Sequence, residues 1–148
     1  MKNKIQQKIA AVSSLILGLT FGLPNQPAQA YAYKCSFFGL SLDGETCIQV
    51  ISDGLKVKSF QGSFDIGYFE SGICNWYYTI KLYDTENKKY TSATGPIHYS
   101  SCDKSGVFTQ SYNTKPFPAK KGKVCAELHE IKNGKDYYID AACAELTP

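Results

Sequence analysis

The sequence predicts an all-β domain: two antiparallel sheets packed face to face as a sandwich and stabilised by disulfides. Three observations carry that expectation. Beyond residue 30, apolar and polar residues alternate with period two almost everywhere, the pattern of strands buried on one face. Gly, Asn, Asp or Pro interrupts the alternation every eight to twelve residues or so, as in small sandwiches and barrels. Six cysteines, 35, 47, 74, 102, 125 and 143, form an even set beyond the same point, which in an exported chain reads as three disulfides.

Residues 1–30 are set apart as a secretory signal, with 31–148 as a single domain. Lys2, Lys4 and Lys8 make a basic start, Ile9 to Leu23 an apolar run, and Ala28-Gln29-Ala30 a small-residue cleavage site. The run falls short of the ~20 residues a spanning helix needs. A second cut after Ala32 is open, so the mature chain is expected to begin at Tyr31 or Tyr33 and to act outside the cell.

The formal charge of +3 belongs to the leader. Of sixteen basic residues, Lys2, Lys4 and Lys8 lie there, and the other thirteen balance thirteen acids. A neutral domain lacks the persistent positive field that nucleic acid or an anionic membrane requires. Arginine is absent altogether, so the planar fork that grips phosphate in two bonds is missing too.

Strands are expected at Tyr31 to Phe38, Cys47 to Ser52 and Leu55 to Phe60, with Asp53-Gly54 as a tight hairpin turn. Phe64, Ile66 and Tyr68 continue the alternation. In "GICNWYYTIKLYD", residues 72–84, one face carries Cys74, Trp76, Tyr78, Ile80 and Leu82, the other Asn75, Tyr77, Thr79, Lys81 and Tyr83. Tyr90 to Ser100 contains Gly95-Pro96 and reads as an edge or bulged strand. Val107 to Asn113 is short, "TKPFPAKKG" reads as a loop that adds no strand, and Lys123 to Ile131 and Tyr137 to Leu146 close the chain around Asn133-Gly134.

The last hairpin fixes one bridge. A three-residue loop of Asn133, Gly134 and Lys135 pairs Lys132 with Asp136 and sets Cys125 opposite Cys143; a two-residue Asn-Gly loop would instead bring Ala142 opposite Cys125. A Cys125–Cys143 bridge therefore favours the longer loop. Nearness in sequence pairs Cys35 with Cys47 and Cys74 with Cys102. Zinc is not expected, because no two cysteines are closer than Cys35 and Cys47 and only two histidines exist.

With Trp76 midway and Cys125 on the penultimate strand, the pattern resembles an immunoglobulin-type sandwich. The likeness is one of architecture. Lys123 stands where such domains carry a tyrosine two residues before the cysteine, and Cys74 shares a strand with Trp76.

Catalytic means are thin. His98 and His129 are the only imidazoles, each read as a surface or rim histidine, and no Gly-x-Ser-x-Gly elbow occurs. Glu127 with Glu130, or Asp65 with Glu70, would be the carboxylate pairs of a glycosidase; scattered acids more often solvate a face. Asp84, Glu86 and Asn87 offer calcium ligands, but "DTENKK" lacks the pattern of a calcium loop. Neither a cofactor nor a metal is expected, and no catalytic residue is assigned.

Two features suggest binding. Tyr77 and Tyr83 project together from the polar face of their strand, and tyrosine suits protein partners and sugar rings alike; a covering strand would make them structural. Phe117 sits between two prolines and among Lys115, Lys120 and Lys121. Such a loop can enter a protease cleft or rest on a wall polymer, though its Phe more often folds back on the core. The expectation is an exported, monomeric or weakly associating binding protein for an extracellular protein or a cell-wall or polysaccharide surface. A secreted protease inhibitor acting through Phe117 and a small antibacterial toxin are the alternatives.

Overall fold

A computed structural model describes residues 30–39, 44–67, 71–99, 102–112 and 114–148. The expected secretory signal, up to residue 29, and Tyr68, Glu70 and Asn113 lie outside the described residues. Among the described residues nine strands follow one another: β1 (Ala30–Phe38), β2 (Gly44–Asp53), β3 (Lys56–Asp65), β4 (Trp76–Asp84), β5 (Lys89–Thr94), β6 (Ser105–Ser111), β7 (Phe117–Pro118), β8 (Gly122–Lys132) and β9 (Lys135–Leu146). They form two antiparallel sheets, β1-β2-β3-β6 with β7 also on β3, and β5-β4-β8-β9. Among the described residues no helix is long and apolar enough to cross a membrane.

The period-two pattern decides which side chains meet between the sheets. From the first sheet come Ile48, Val50, Val57, Phe60 and Phe64; from the second Trp76, Tyr78, Ile80, Leu82, Val124, Ala126, Leu128, Ala142, Ala144 and Leu146. Burying such rows is the main driving force available to a chain of this size. The apolar face of residues 76–82 is buried as its alternation requires, but Cys74 is not part of it. Asn75 takes a left-handed conformation (φ 48°), which ends the extended run, and the Cys74 N–H donates instead to the buried Glu130 carboxylate at 2.9 Å. The strand therefore begins at Trp76. Tyr78, wholly buried, keeps its hydroxyl satisfied on the Thr46 hydroxyl at 2.6 Å, as a polar tip inside a core must.

Both hairpin turns differ from their sequence reading, and in the second a bulge restores the expected register. In the first, Asp53 pairs with Lys56, so the turn is Gly54-Leu55 rather than Asp53-Gly54, with Gly54 at φ 56° in the first central position. In the second, Lys132 pairs with Lys135, not with Asp136. Asn133 (φ 53°) and Gly134 (φ 73°) both adopt the positive φ of a two-residue type I′ turn, whose twist matches the flanking strands. Ile139 then bulges out between the His129–Tyr138 and Leu128–Asp140 pairs and restores the register, so Cys125 does face Cys143. The bridge was compatible with the shorter turn all along, because a bulge supplies the missing residue.

The three disulfides are Cys35–Cys47, Cys74–Cys102 and Cys125–Cys143. The first and third join directly opposed residues on neighbouring strands, β1 with β2 and β8 with β9. The second ties the segment entering β4 to the one entering β6, beside the mutual backbone bonds of Ile73 and Asp103 at 2.8 and 3.0 Å. Cys125 thus serves its own sheet and does not bridge across the sandwich beside Trp76. Residues 117 and 118 were expected in a loop outside any ladder; they pair with Val57 and Lys56. Proline fits there because β7 lies on the outer edge of β3, where its missing N–H has no further strand to serve.

Candidate functional site

Two outer faces are open to a ligand, one on each sheet, and their chemistry differs. On the second sheet, cross-strand register sets Tyr77 opposite His129, Thr79 opposite Glu127, Lys81 opposite Cys125 and Tyr83 opposite Lys123. Tyr77 stacks on the His129 ring (centroids 4.8 Å apart, planes at 17°), and Tyr138 meets the same ring edge-on at 5.9 Å. The two imidazole nitrogens face acids: Nε2 lies 3.4 Å from Glu127 and Nδ1 3.1 Å from Asp136. Lys81 pairs with Glu127, which holds its ammonium above the usual lysine range, and the Lys123 ammonium lies 5.2 Å from the Tyr83 ring centre. Neither Tyr77 nor Tyr83 is a bare platform; both are half-buried in a network that consumes its own donors and acceptors.

The tyrosines of this sheet make the fold sensitive to alkali. The Tyr77 phenol is pushed up to about 12, first by removal from water and then by its hydrogen bond to Asp136 and the nearby carboxylates. Burial likewise raises Tyr78, with the Thr46 hydrogen bond acting the other way and Asp140 adding to the rise. A phenol whose folded pKa exceeds the unfolded value of about 10 contributes stability that is complete below pH ~10 and lost as pH rises through the folded value. Denaturant unfolding between about pH 9 and 12 should show stability falling with pH, and less steeply in Tyr77→Phe. An unchanged slope in that variant would mean that Tyr77 is not held as described.

His129 comes within hydrogen-bonding reach of two acids, one requirement for general-base catalysis. Catalysis also needs a concave site around it. The hollows beside Asp84, Phe38, Glu45 and Tyr31 are lined by other residues than His129. His98 lies flat on Trp76 at 3.7 Å and 12°, a packing role. Glu127 and Glu130 fall on opposite faces of β8, since Glu130 is buried with Leu128 and Val124, so they cannot flank one cleft. Asp84 caps its own turn, accepting from the N–H groups of Glu86 and Lys88 at 2.9 Å each, which explains the acid in "DTENKK" without calcium.

The loop around Phe117 does not project its aromatic ring. Phe117 packs on Phe60 and Tyr112, with centroids 6.2 and 5.4 Å away. Ala119 N–H bonds to the Leu55 carbonyl at 2.8 Å. Lys120 is tied to Tyr90 twice, by its N–H to the hydroxyl and by its ammonium 5.1 Å from the ring centre. Lys115 is exposed, and Lys121 borders a small end hollow with Asp84 and Glu145. The protease-inhibitor alternative loses the convex aromatic on which it depended.

The outer face of the second sheet exposes Tyr138 by 59 % but sets it against His129; the outer face of the first sheet carries three exposed aromatics. In register, it carries Tyr31 beside Ile51 and Ser59; Tyr33 beside Gln49, Gln61 and Thr109; the Cys35–Cys47 bridge beside Ser63 and Val107; and Phe37 beside Glu45, Asp65 and Ser105. Tyr31, Tyr33 and Phe37 are 62, 56 and 62 % exposed. The Tyr33 hydroxyl donates to Cys47 Sγ at 3.2 Å and lies 3.0 Å from Cys35 Sγ, which holds its ring along the sheet. Among the described residues, Gln49, Gln61, Thr109 and Ser111 make no side-chain hydrogen bond within the fold. The sequence contained the signal: Tyr31, Tyr33 and Phe37 occupy alternate positions of one strand and must share a face. Tyr77 and Tyr83 share a face by the same alternation, and the sequence does not show which outer face is already engaged. Set against known protein families, curated proteins and solved structures, the chain matches none, so its function is argued from these faces alone.

Proposed function

We propose that the chain is an exported binding protein, not a catalyst, and that it holds an extracellular ligand on the outer face of the first sheet. One observation carries the reading: three exposed aromatics on β1 border rows of amide and hydroxyl side chains that the fold does not use. Solvent-exposed aromatics at this density are costly unless they meet something, and tyrosine is an anchor of low conformational entropy. Three disulfides are the usual equipment of a small domain in an oxidising compartment. The His129 imidazole is engaged by Tyr77, Glu127 and Asp136.

Cosedimentation with an insoluble cell-wall preparation from the producing cells, which offers both proteins and polysaccharides, tests the proposal. The unaltered domain should pellet. A variant with Tyr31, Tyr33 and Phe37 all changed to alanine should remain in the supernatant with its thermal midpoint little changed, because these side chains are already in water. His129→Ala should pellet as the parent does. A parent that stays soluble, or a triple variant that pellets equally well, would overturn the proposal.

A further inference from the structure

Resting on that reading, we infer that the ligand is a neutral, hydroxyl-rich glycan chain laid across the strands of the first sheet and stacked on Tyr33. The row Tyr33–Gln49–Gln61–Thr109 is one continuous line of register from β1 to β6. Three inter-strand steps give it a length of about 14 Å, room for a short run of sugar rings. It begins with a ring that is 56 % exposed and fixed in orientation by its hydroxyl on the cystine. Two amides and a hydroxyl follow.

The match is chemical. A sugar ring has an apolar face for the tyrosine and hydroxyls around its rim, each a donor and an acceptor. A glutamine amide also has both functions, so either partner can adapt to the other. Beside the row lies a hollow of about 490 Å³ lined by Tyr33, Glu45, Cys47, Ser63, Asp65 and Val107, within the size range of small-molecule sites.

Charge selects among polymers. The Tyr33 row and the row on either side of it hold no lysine, whereas Glu45 and Asp65 are adjacent at one end; Lys56, further along β3, is matched by Asp53 opposite it. A polyanion would meet repulsion there and no counter-charge. A protein partner would want an apolar centre depleted of polar groups, but Ile51 and Val107 are the only aliphatic side chains among the outward positions of β2, β3 and β6. An uncharged polysaccharide satisfies both conditions.

Native gel electrophoresis through gels containing hydroxyethylcellulose, galactomannan or arabinoxylan, with alginate as the anionic control, tests this. At least one neutral polymer should retard the domain and alginate should not. Tyr33→Ala and the double change Gln49→Ala with Gln61→Ala should each weaken retardation by about tenfold or more, the scale of losing a central anchor. Lys121→Ala, just before β8 of the other sheet and beside Asp84, should leave it unchanged. Retardation by alginate alone, or by none of the polymers, would overturn the glycan assignment. If cell-wall pelleting still depended on Tyr31, Tyr33 and Phe37, the binding face itself would stand with a different ligand; if that dependence failed too, both would fall.

Discussion

Trp76→Ala should lower the stability of the domain by about 3–5 kcal/mol, the range for removing a buried aromatic that its surroundings cannot collapse around. The indole is 3 % exposed and meets residues far apart along the chain. Phe64 of β3 meets it edge-on at 5.0 Å, and His98 stacks on it at 3.7 Å. Its N–H donates to Asp103 at 2.7 Å. Gly106 of β6 lies so close that a Cβ there would run into the indole and the Phe64 ring. Truncation would open a void facing both sheets and strip a carboxylate of a donor at once. Chemical denaturation provides the measurement, with Trp76→Phe as the intermediate case that keeps most of the packing but loses the N–H. A loss under about 1 kcal/mol for the alanine variant would contradict this account of the core.

Changing Cys125 and Cys143 together to serine should cost about 3 kcal/mol. The bridge closes a loop of 18 residues, and in the chain-entropy view its contribution comes from restricting the unfolded chain. Because cost grows only with the logarithm of loop length, the 12-residue loop of Cys35–Cys47 should contribute nearly as much. Denaturation of the double-serine variant, followed by far-ultraviolet circular dichroism, should show the midpoint displaced with the sheet spectrum of the folded state retained. A folded variant with an unmoved midpoint would show that the hairpin is already restrained without the bridge.

Much of the architecture was legible because burial acts through a simple period. Trp76, Tyr78, Ile80 and Leu82 could be assigned to one face before any contact was known, and Phe64 and Ile66 likewise. The three cysteine pairs followed from nearness and register. What the sequence could not show was the local event that breaks the period: the left-handed Asn75, the bulge at Ile139, the short pairing of Phe117 and Pro118 with β3. A left-handed non-glycine residue costs on the order of 1–3 kcal/mol, and such local events follow from tertiary neighbours, not from the period. The site was harder still. Tyr77 and Tyr83 share a face by the same rule as Tyr31 and Tyr33, and only tertiary neighbours distinguish them. His129, Asp136 and Lys123 occupy the first pair, while the second remains in solvent.

The hairpin of β8 and β9 carries two offsets that cancel: a turn one residue shorter than the alternative, and an extra residue at Ile139. Natural length variation in this segment should therefore be correlated. Dropping Ile139 alone would slide Ala144 toward Cys125 and leave both sulfurs stranded, and lengthening the turn alone would do the reverse. Making both edits at once returns Cys143 to its mate, so evolution can exchange one shape of this ribbon for the other only by a paired insertion and deletion.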